Sequence, residues 1–506
     1  MRQLSELDAS FLYLESDTAP MHIGGIYLFD GSGRDEPLSY GTFIHYLESR
    51  LHVVPFFRQR LRDIPFHLGH PHWIDDPDFS IERHLAYVSM GRRNDCDSLM
   101  ALASRILQEP LKRDRPLWHI TFVDGLNLGN DDDNGNFALI VRLHHSAIDA
   151  FSGEEIMGKL LEYTPEPHPI RPPQPWHPQP APSDRRALMQ VGANLARKPL
   201  QIASVTASAM EATARGMIRR QLHRLPISLP FFSAPYSPFN RQITANRRIL
   251  GKSVPLSRLK GIKASLGDVT LNDVVLGLSA EVLRRYMAEH GMDQSRSLVA
   301  MTPVSVRSRS LRRPTGNQMS AMLLDLATLE PNPARRIRRI HWNAVASEPY
   351  QEAIAADRLT ELVPSTMLAL SARLYSELQL AQRYQPLFNV PITNVPGPQE
   401  PLYLQGARLV RQYNAAPLFD SMGLVVVAVS YEGQLTLNFT ICPDVVPDGE
   451  QLTGLVDESL DAIESAAMNL PAESEPELME SSQDSSLLDD ALTAIEGVLR
   501  KGIRKR

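Results

Sequence analysis

Phe137-Ala138-Leu139-Ile140-Val141 runs through Arg142-Leu143 into His144-His145-Ser146-Ala147-Ile148-Asp149. The apolar run predicts a buried strand, and the strand ends in two adjacent histidines with a carboxylate four residues after the second. An imidazole at such a strand end is a general base placed to take a proton from a hydroxyl and direct it at an ester or thioester carbonyl. The plainer alternative is a pair of strand-end histidines satisfied by backbone carbonyls. A shared metal ion fits poorly, because neighbouring residues on a strand point to opposite faces. Asp149 has two readings: an N-cap for the helix that follows, or a carboxylate that pairs with an arginine and fixes the loop presenting His145. Arg307, where the strand Met301 to Val306 runs out, is the candidate arginine.

Working outward, residues 1–164 read as a first α/β unit. Strands are expected at Ile23 to Phe29 and Ile120 to Val123, with a helix over Ser98 to Leu107 and a polar turn at Asp131 to Asn136. Phe151 to Tyr163 has helical spacing. Within it Gly153 to Leu160 nearly matches a phosphate loop, but it lacks the closing Ser/Thr and carries two glutamates, so it reads as an ordinary helix. Residues 165–239 begin with nine prolines in the 18 residues from Pro165 to Pro182, a stiff extended crossover, followed by a basic helical segment over 185–225 that Pro199 divides. Residues 240–470 read as a second α/β unit, with a helix starting at Thr270 and strands at 298–306, 319–326, 388–393, 422–431 and 435–441. Residues 471–506 form an acidic tail ending in an amphipathic helix with a basic end.

The bulk numbers narrow the class. A chain of 506 residues, 43% hydrophobic, supports at least two domains, and a net charge of −6 does not suit a nucleic-acid binder. Two cysteines, Cys96 and Cys442, make neither a disulfide framework nor a zinc site, which points to a reducing cytosol. Acids at Glu6, Asp8, Glu15 and Asp17 break any signal-peptide core, and no apolar run approaches the length of a membrane span. The expectation is a cytoplasmic protein that is soluble or rests on a membrane without crossing it. No Gly-x-Ser-x-Gly elbow or nucleophilic cysteine motif is present, so the chemistry expected is direct attack by a substrate hydroxyl without an acyl-enzyme.

The His-His-x-x-x-Asp core resembles the active-site motif of the CoA-dependent acyltransferase superfamily, to which chloramphenicol acetyltransferase and peptide-synthetase condensation domains belong. Further stretches narrow the resemblance to the bacterial wax ester synthase/diacylglycerol acyltransferase family. These are Leu7-Asp8-Ala9-Ser10-Phe11-Leu12 with Pro20-Met21-His22-Ile23-Gly24-Gly25, and Pro116-Leu117-Trp118 leading to Val123-Asp124-Gly125-Leu126. Downstream come Leu271-Asn272-Asp273-Val274-Val275 and Thr393-Asn394-Val395-Pro396-Gly397-Pro398. The matches follow family order from residue 4 to about residue 465.

The resemblance implies an α/β (α+β) fold of two chloramphenicol-acetyltransferase-like domains, each a mixed sheet with flanking helices, and an active-site channel between them. It implies His145 as general base, His144 as its support and Asp149 as the holder of the loop. Asn272, Asn394, Pro396 and Gly397 would line the site from the second domain, although either asparagine equally suits a local cap or turn. The expected reaction moves a long-chain acyl group from acyl-CoA to a fatty alcohol or diacylglycerol, with no metal or other cofactor. Its apolar substrates place the channel mouth at a membrane or lipid-droplet surface, with 185–225 and the tail as contacts. The alternatives are a condensation-type enzyme with another acceptor, or a weakly active or silent lipid-surface paralogue. Ala150 is one departure, since the family usually has glycine after the aspartate. An unperturbed imidazole would make activity fall below a pH of about 6.5.

Overall fold

The computed structural model describes residues 2–65, 69–91, 95–127, 135–150, 153–166, 176–181, 183, 189, 234–305, 319–353 and 386–470. In chain order the first half contains strand β1 (Arg2–Gln3), helix α1 (Glu6–Leu14), β2 (His22–Asp30), α2 (Tyr40–Arg50), β3 (Gln59–Arg62), β4 (His72–Asp75) and β5 (Leu85–Ser89). Then come α3 (Cys96–Gln108), β6 (Trp118–Asp124), β7 (Phe137–His144), a 3₁₀ helix over His145–Ala150, and α4 (Gly153–Leu160). The second half opens with β8 (Arg248–Pro255), α5 (Leu256–Leu266), α6 (Leu271–Glu289), β9 (Val299–Ser305), β10 (Met319–Asp325) and α7 (Pro333–Ala353). It closes with β11 (Val390–Pro396), β12 (Tyr403–Leu404), β13 (Ala407–Ala415), β14 (Leu424–Tyr431), β15 (Gln434–Ile441) and α8 (Gln451–Met468).

These elements build two six-stranded mixed sheets, in the orders β12-β13-β2-β7-β6-β5 and β10-β9-β11-β14-β15-β8, beside a small three-stranded sheet β1-β4-β3. β7 and β14 are buried at every position, which is why they read as unbroken apolar runs. The two large sheets share a wiring. In the first, β5 lies parallel to β6, β6 and β7 form an antiparallel pair, and the early strand β2 closes on β7. In the second, β11 lies parallel to β14, β14 and β15 form an antiparallel pair, and the early strand β8 closes on β15. The two α/β halves are therefore structural relatives despite showing no sequence repeat.

The sheets do not follow a contiguous split at residues 164 and 240. β12 and β13 belong by sequence to the second unit, yet β13 pairs antiparallel with β2 along Arg408↔Asp30 to Ala415↔Gly24. Tyr413 and Ala415 of β13 share a core with Ile26, Leu28 and Leu99 of the first half and Ile249 of β8. α3 strengthens this seam, because the Ser104 hydroxyl accepts the Ile249 N–H at 3.0 Å and Gln108 donates to the Arg247 carbonyl at 3.1 Å.

Local signals explain the elements that position the site. Thr270 caps α6 in a capping box, its side chain accepting the Asp273 N–H while the Asp273 side chain accepts the Thr270 N–H. Asp95 caps α3 more simply, its side chain accepting the Ser98 N–H. Gly153–Leu160 is a plain helix, as the glutamates implied. Of the proline-rich crossover, residues 176–181 carry no regular structure; Gln179 N–H binds Asp75 and Arg58 lies over the Trp176 ring. The basic segment over 190–225, Pro199 included, and the tail 471–506 fall outside the described residues.

Candidate active site

β7 brings the two histidines to the edge of the seam, and hydrogen bonds fix their main chain from both sides. His144 N–H donates to the Leu117 carbonyl at 3.0 Å, and His145 N–H donates to the Met21 carbonyl at 2.8 Å. Met21 belongs to the core of the second sheet, so His145 is anchored where the two halves meet. The 3₁₀ helix beginning at His145 then turns the chain away from the sheet.

The two imidazoles have different surroundings. His144 is 1% exposed; its Nδ1 accepts the Ser146 N–H at 3.1 Å and lies 2.7 Å from the Ser146 hydroxyl. An accepting Nδ1 leaves the proton of the neutral ring on Nε2. That Nε2 faces Glu15 Oε1 at 3.4 Å, and neither atom has a hydrogen-bond partner of its own among the described residues. The Glu15 side chain is only 9% exposed, and Arg113 holds its other oxygen through Nε at 2.7 Å. Burial opposes the Glu15 charge, but His144 and Arg113 outweigh it and bring the carboxyl down to about 2.

His145 is half-buried, and its ring stacks on Phe11 with centroids 3.8 Å apart and planes 20° apart. Burial, then the neighbouring His144, pushes the His145 pKa down from 6.5 to about 4, against a hydrogen bond to its own main chain. The ring is therefore neutral at physiological pH, the state a proton acceptor requires. Phe11 also packs against the core of the second sheet, as do Leu271 and Val395. These last two adjoin Asn272 and Asn394, whose side chains meet where Asn394 Nδ2 donates to Asn272 Oδ1 at 3.3 Å. That contact leaves the Asn272 amide NH₂ unused among the described residues, a donor able to receive charge on an oxygen.

Pro396 and Gly397 have a structural explanation. Pro396 ends β11 on the surface, and Gly397 N–H donates to Ser430 Oγ at 3.3 Å. A Cβ on Gly397 would sit 2.3 Å from the Ser430 carbonyl oxygen, so this backbone approach excludes any side chain. Asp149 and Ala150 lie in the 3₁₀ helix, a conformation that alanine adopts readily. The Asp149 side chain and the whole of Arg307 are outside the described residues, so their expected pairing is too.

Sequence reading missed Glu15, Arg113 and Ser146 as parts of this site, and took Phe11 only as a matching residue. A usable signal was present. Phe11 and Glu15 stand four apart at the end of α1, where they share one face, and the Glu15 N–H binds the Phe11 carbonyl. What that face met was not visible.

Comparisons with known proteins show the family. The profile of the wax ester synthase/diacylglycerol acyltransferase catalytic domain matches residues 4–275, and that of the family's C-terminal domain matches residues 315–464. The chain belongs to the wax ester synthase/diacylglycerol acyltransferase family. Two provisionally named diacylglycerol O-acyltransferases of Mycobacterium tuberculosis are similar to it. One is 32% identical over 460 residues, 88% of this chain and 87% of the relative; the other is 33% identical over 473 residues, 91% and 98%. The wax ester synthase/diacylglycerol acyltransferase of Marinobacter aquaeolei VT8 superposes with a TM-score of 0.64 at 25% identity, covering 92% of this chain and 100% of that one. The starter condensation domain of rhizomide synthetase, solved with C8-CoA, reaches a TM-score of 0.52 at 15% identity over 92% and 94% of the two chains, a likeness of fold. As a member of this family the chain is an acyltransferase enzyme, built on the two-unit α/β fold expected from its sequence.

Proposed function

We propose that this acyltransferase moves a long-chain acyl group from acyl-CoA to the hydroxyl of a fatty alcohol or a diacylglycerol. His145 acts as general base, and no acyl-enzyme forms. The observation that carries the reading is the half-buried His145 ring, stacked on Phe11 and presented at the seam between the two halves by a main chain bound to the Met21 carbonyl, where burial favours its uncharged form. His145 takes the hydroxyl proton as the oxygen attacks the thioester carbonyl. The Asn272 amide or a main-chain N–H receives the oxyanion, and the imidazolium returns the proton as the CoA thiolate leaves. His144 supports the placement of His145, and Asp149 holds the loop. The reaction so drawn calls on no metal or prosthetic group; CoA takes part as the leaving half of the donor.

The proposed site of action is cytoplasmic, at the surface of the membrane or a lipid droplet. Both substrates are apolar, no helix among the described residues is long and apolar enough to cross a membrane, and both cysteines are free. Release of CoA from palmitoyl-CoA, followed with hexadecanol and with diolein as separate acceptors, tests the reaction. Turnover on at least one of them is expected, and no turnover on either would leave the condensation-type or silent reading in its place. Deleting residues 471–506 and measuring co-sedimentation with anionic vesicles tests the surface contact; unchanged partition would remove the tail from it.

A further inference from the structure

We propose that Glu15, braced by Arg113, is a positioning residue of the acyl-transfer site, and that α1 sets both active-site imidazoles through a single helix face, Glu15 against His144 and Phe11 against His145. The inference rests on the reading of His145 as base and adds a residue to which the motif gives no role.

Four observations carry it. First, Glu15 Oε1 is buried and has no other partner among the described residues, and it faces the one nitrogen of His144 that bears the proton, at 3.4 Å. A buried carboxylate in that place fixes a tautomer and a ring orientation, as carboxylates behind functional histidines do elsewhere. Second, Arg113 holds Glu15 and also donates to the Leu12 carbonyl at 2.8 Å. One guanidinium thus ties the carboxylate and the C-terminal end of α1 to the chain ahead of β6.

Third, Phe11 lies one turn before Glu15 and stacks on His145, so a shift of α1 displaces both rings together. Fourth, Ser146 fills the other side of His144, through N–H and hydroxyl, and is itself fully buried. Glu15, His144 and Ser146 form a carboxylate–imidazole–hydroxyl line. A hydroxyl so enclosed meets no substrate, so the line serves to hold His144 rather than to generate a nucleophile. His144 in turn is the residue whose main chain leads directly into His145.

The test uses the full-length chain with Glu15→Gln, Glu15→Asp, Arg113→Met and His145→Ala. Each is assayed for CoA release from palmitoyl-CoA with whichever acceptor the wild type turns over, well below its own unfolding temperature. Glu15→Gln keeps the shape and removes the charge; the expected result is a kcat lower by roughly 10–100-fold with KM for both substrates nearly unchanged. Glu15→Asp, which keeps the charge, should recover part of the loss. Histidine ¹⁵N spectra should show the His144 Nε2–H tautomer in the wild type and a mixture in Glu15→Gln.

A Glu15→Gln enzyme with wild-type kcat, or one whose loss appears in KM alone, overturns the proposal. If Glu15→Gln does not fold, Arg113→Met decides in its place: kcat should fall several-fold, and an unchanged kcat overturns the proposal. His145→Ala separates the two layers. Its retaining full activity defeats the base assignment itself, whereas an inactive His145→Ala beside a fully active Glu15→Gln defeats only the role of Glu15.

Discussion

At neutral pH the His145 imidazole carries a proton on only one of its two nitrogens, because burial and the adjacent His144 favour the uncharged ring and hold its pKa near 4. The fall in activity expected near 6.5 for a free imidazole therefore moves to lower pH. With the group active when deprotonated, kcat/KM stays level as pH falls through 6.5 and declines only as pH approaches about 4. A kcat/KM profile on acyl-CoA checks this, and an acid limb centred near 6.5 would show that the ring is not shielded. Glu15, with a carboxyl near 2, stays ionised throughout that range and adds no limb of its own. The histidines were legible in the sequence because a strand signal, two imidazoles and an acid stand together within one short stretch. Glu15 was not legible: its salt bridge to Arg113 spans 98 residues, and in the sequence it stands as one of several acids near the N-terminus.

Among elements, α1 and the turn after β11 do the work of placement. The Gly397 turn is tied down by Ser430 and by Gln399, which donates to the Gly397 carbonyl at 3.0 Å and accepts the Gly433 N–H at 3.1 Å. Gly397→Ala drives a methyl into the Ser430 carbonyl, which cannot give way without moving β14, so a loss of about 1–3 kcal/mol is expected in denaturant unfolding. Activity should fall as well, since β11 carries Asn394; unchanged stability would mean that the turn yields freely. Five strands and the Thr270 helix of the second half were readable to within a few residues, because β14 is apolar throughout and Thr270 announces α6; β8, α5, α7 and α8 were not read. Nor was the placement of β13. Its residues alternate like those of any edge strand, and nothing local says that its partner is β2 rather than a strand of its own half. Asn272 and Asn394 could be read as caps or as site residues; the structure brings their side chains together, a contact no motif predicts.

On the scale of the whole molecule, two sheets of one wiring are joined by the β13 pairing, and only the first carries histidines at the end of its central strand. The equivalent strand end in the second sheet is Ile441-Cys442, with Cys442 N–H bound to the Gly423 carbonyl as His144 N–H is bound to that of Leu117. The duplication was invisible in sequence because it survives in strand pairing and not in residue identity. β13 also makes the first half dependent on the second. Residues 1–164 expressed alone would leave the whole β2 edge unpaired and should aggregate or stay unfolded in size-exclusion and circular-dichroism measurements; a folded monomer would show that β13 is dispensable. The central claim is that one neutral imidazole at the seam takes the proton from the acceptor hydroxyl. It is tested most directly by the initial rate of CoA release from palmitoyl-CoA in His145→Ala against the wild type, both verified as folded. A loss of about 10²–10⁴-fold with acyl-CoA binding retained is the predicted result; a rate within a few-fold of the wild type would contradict it.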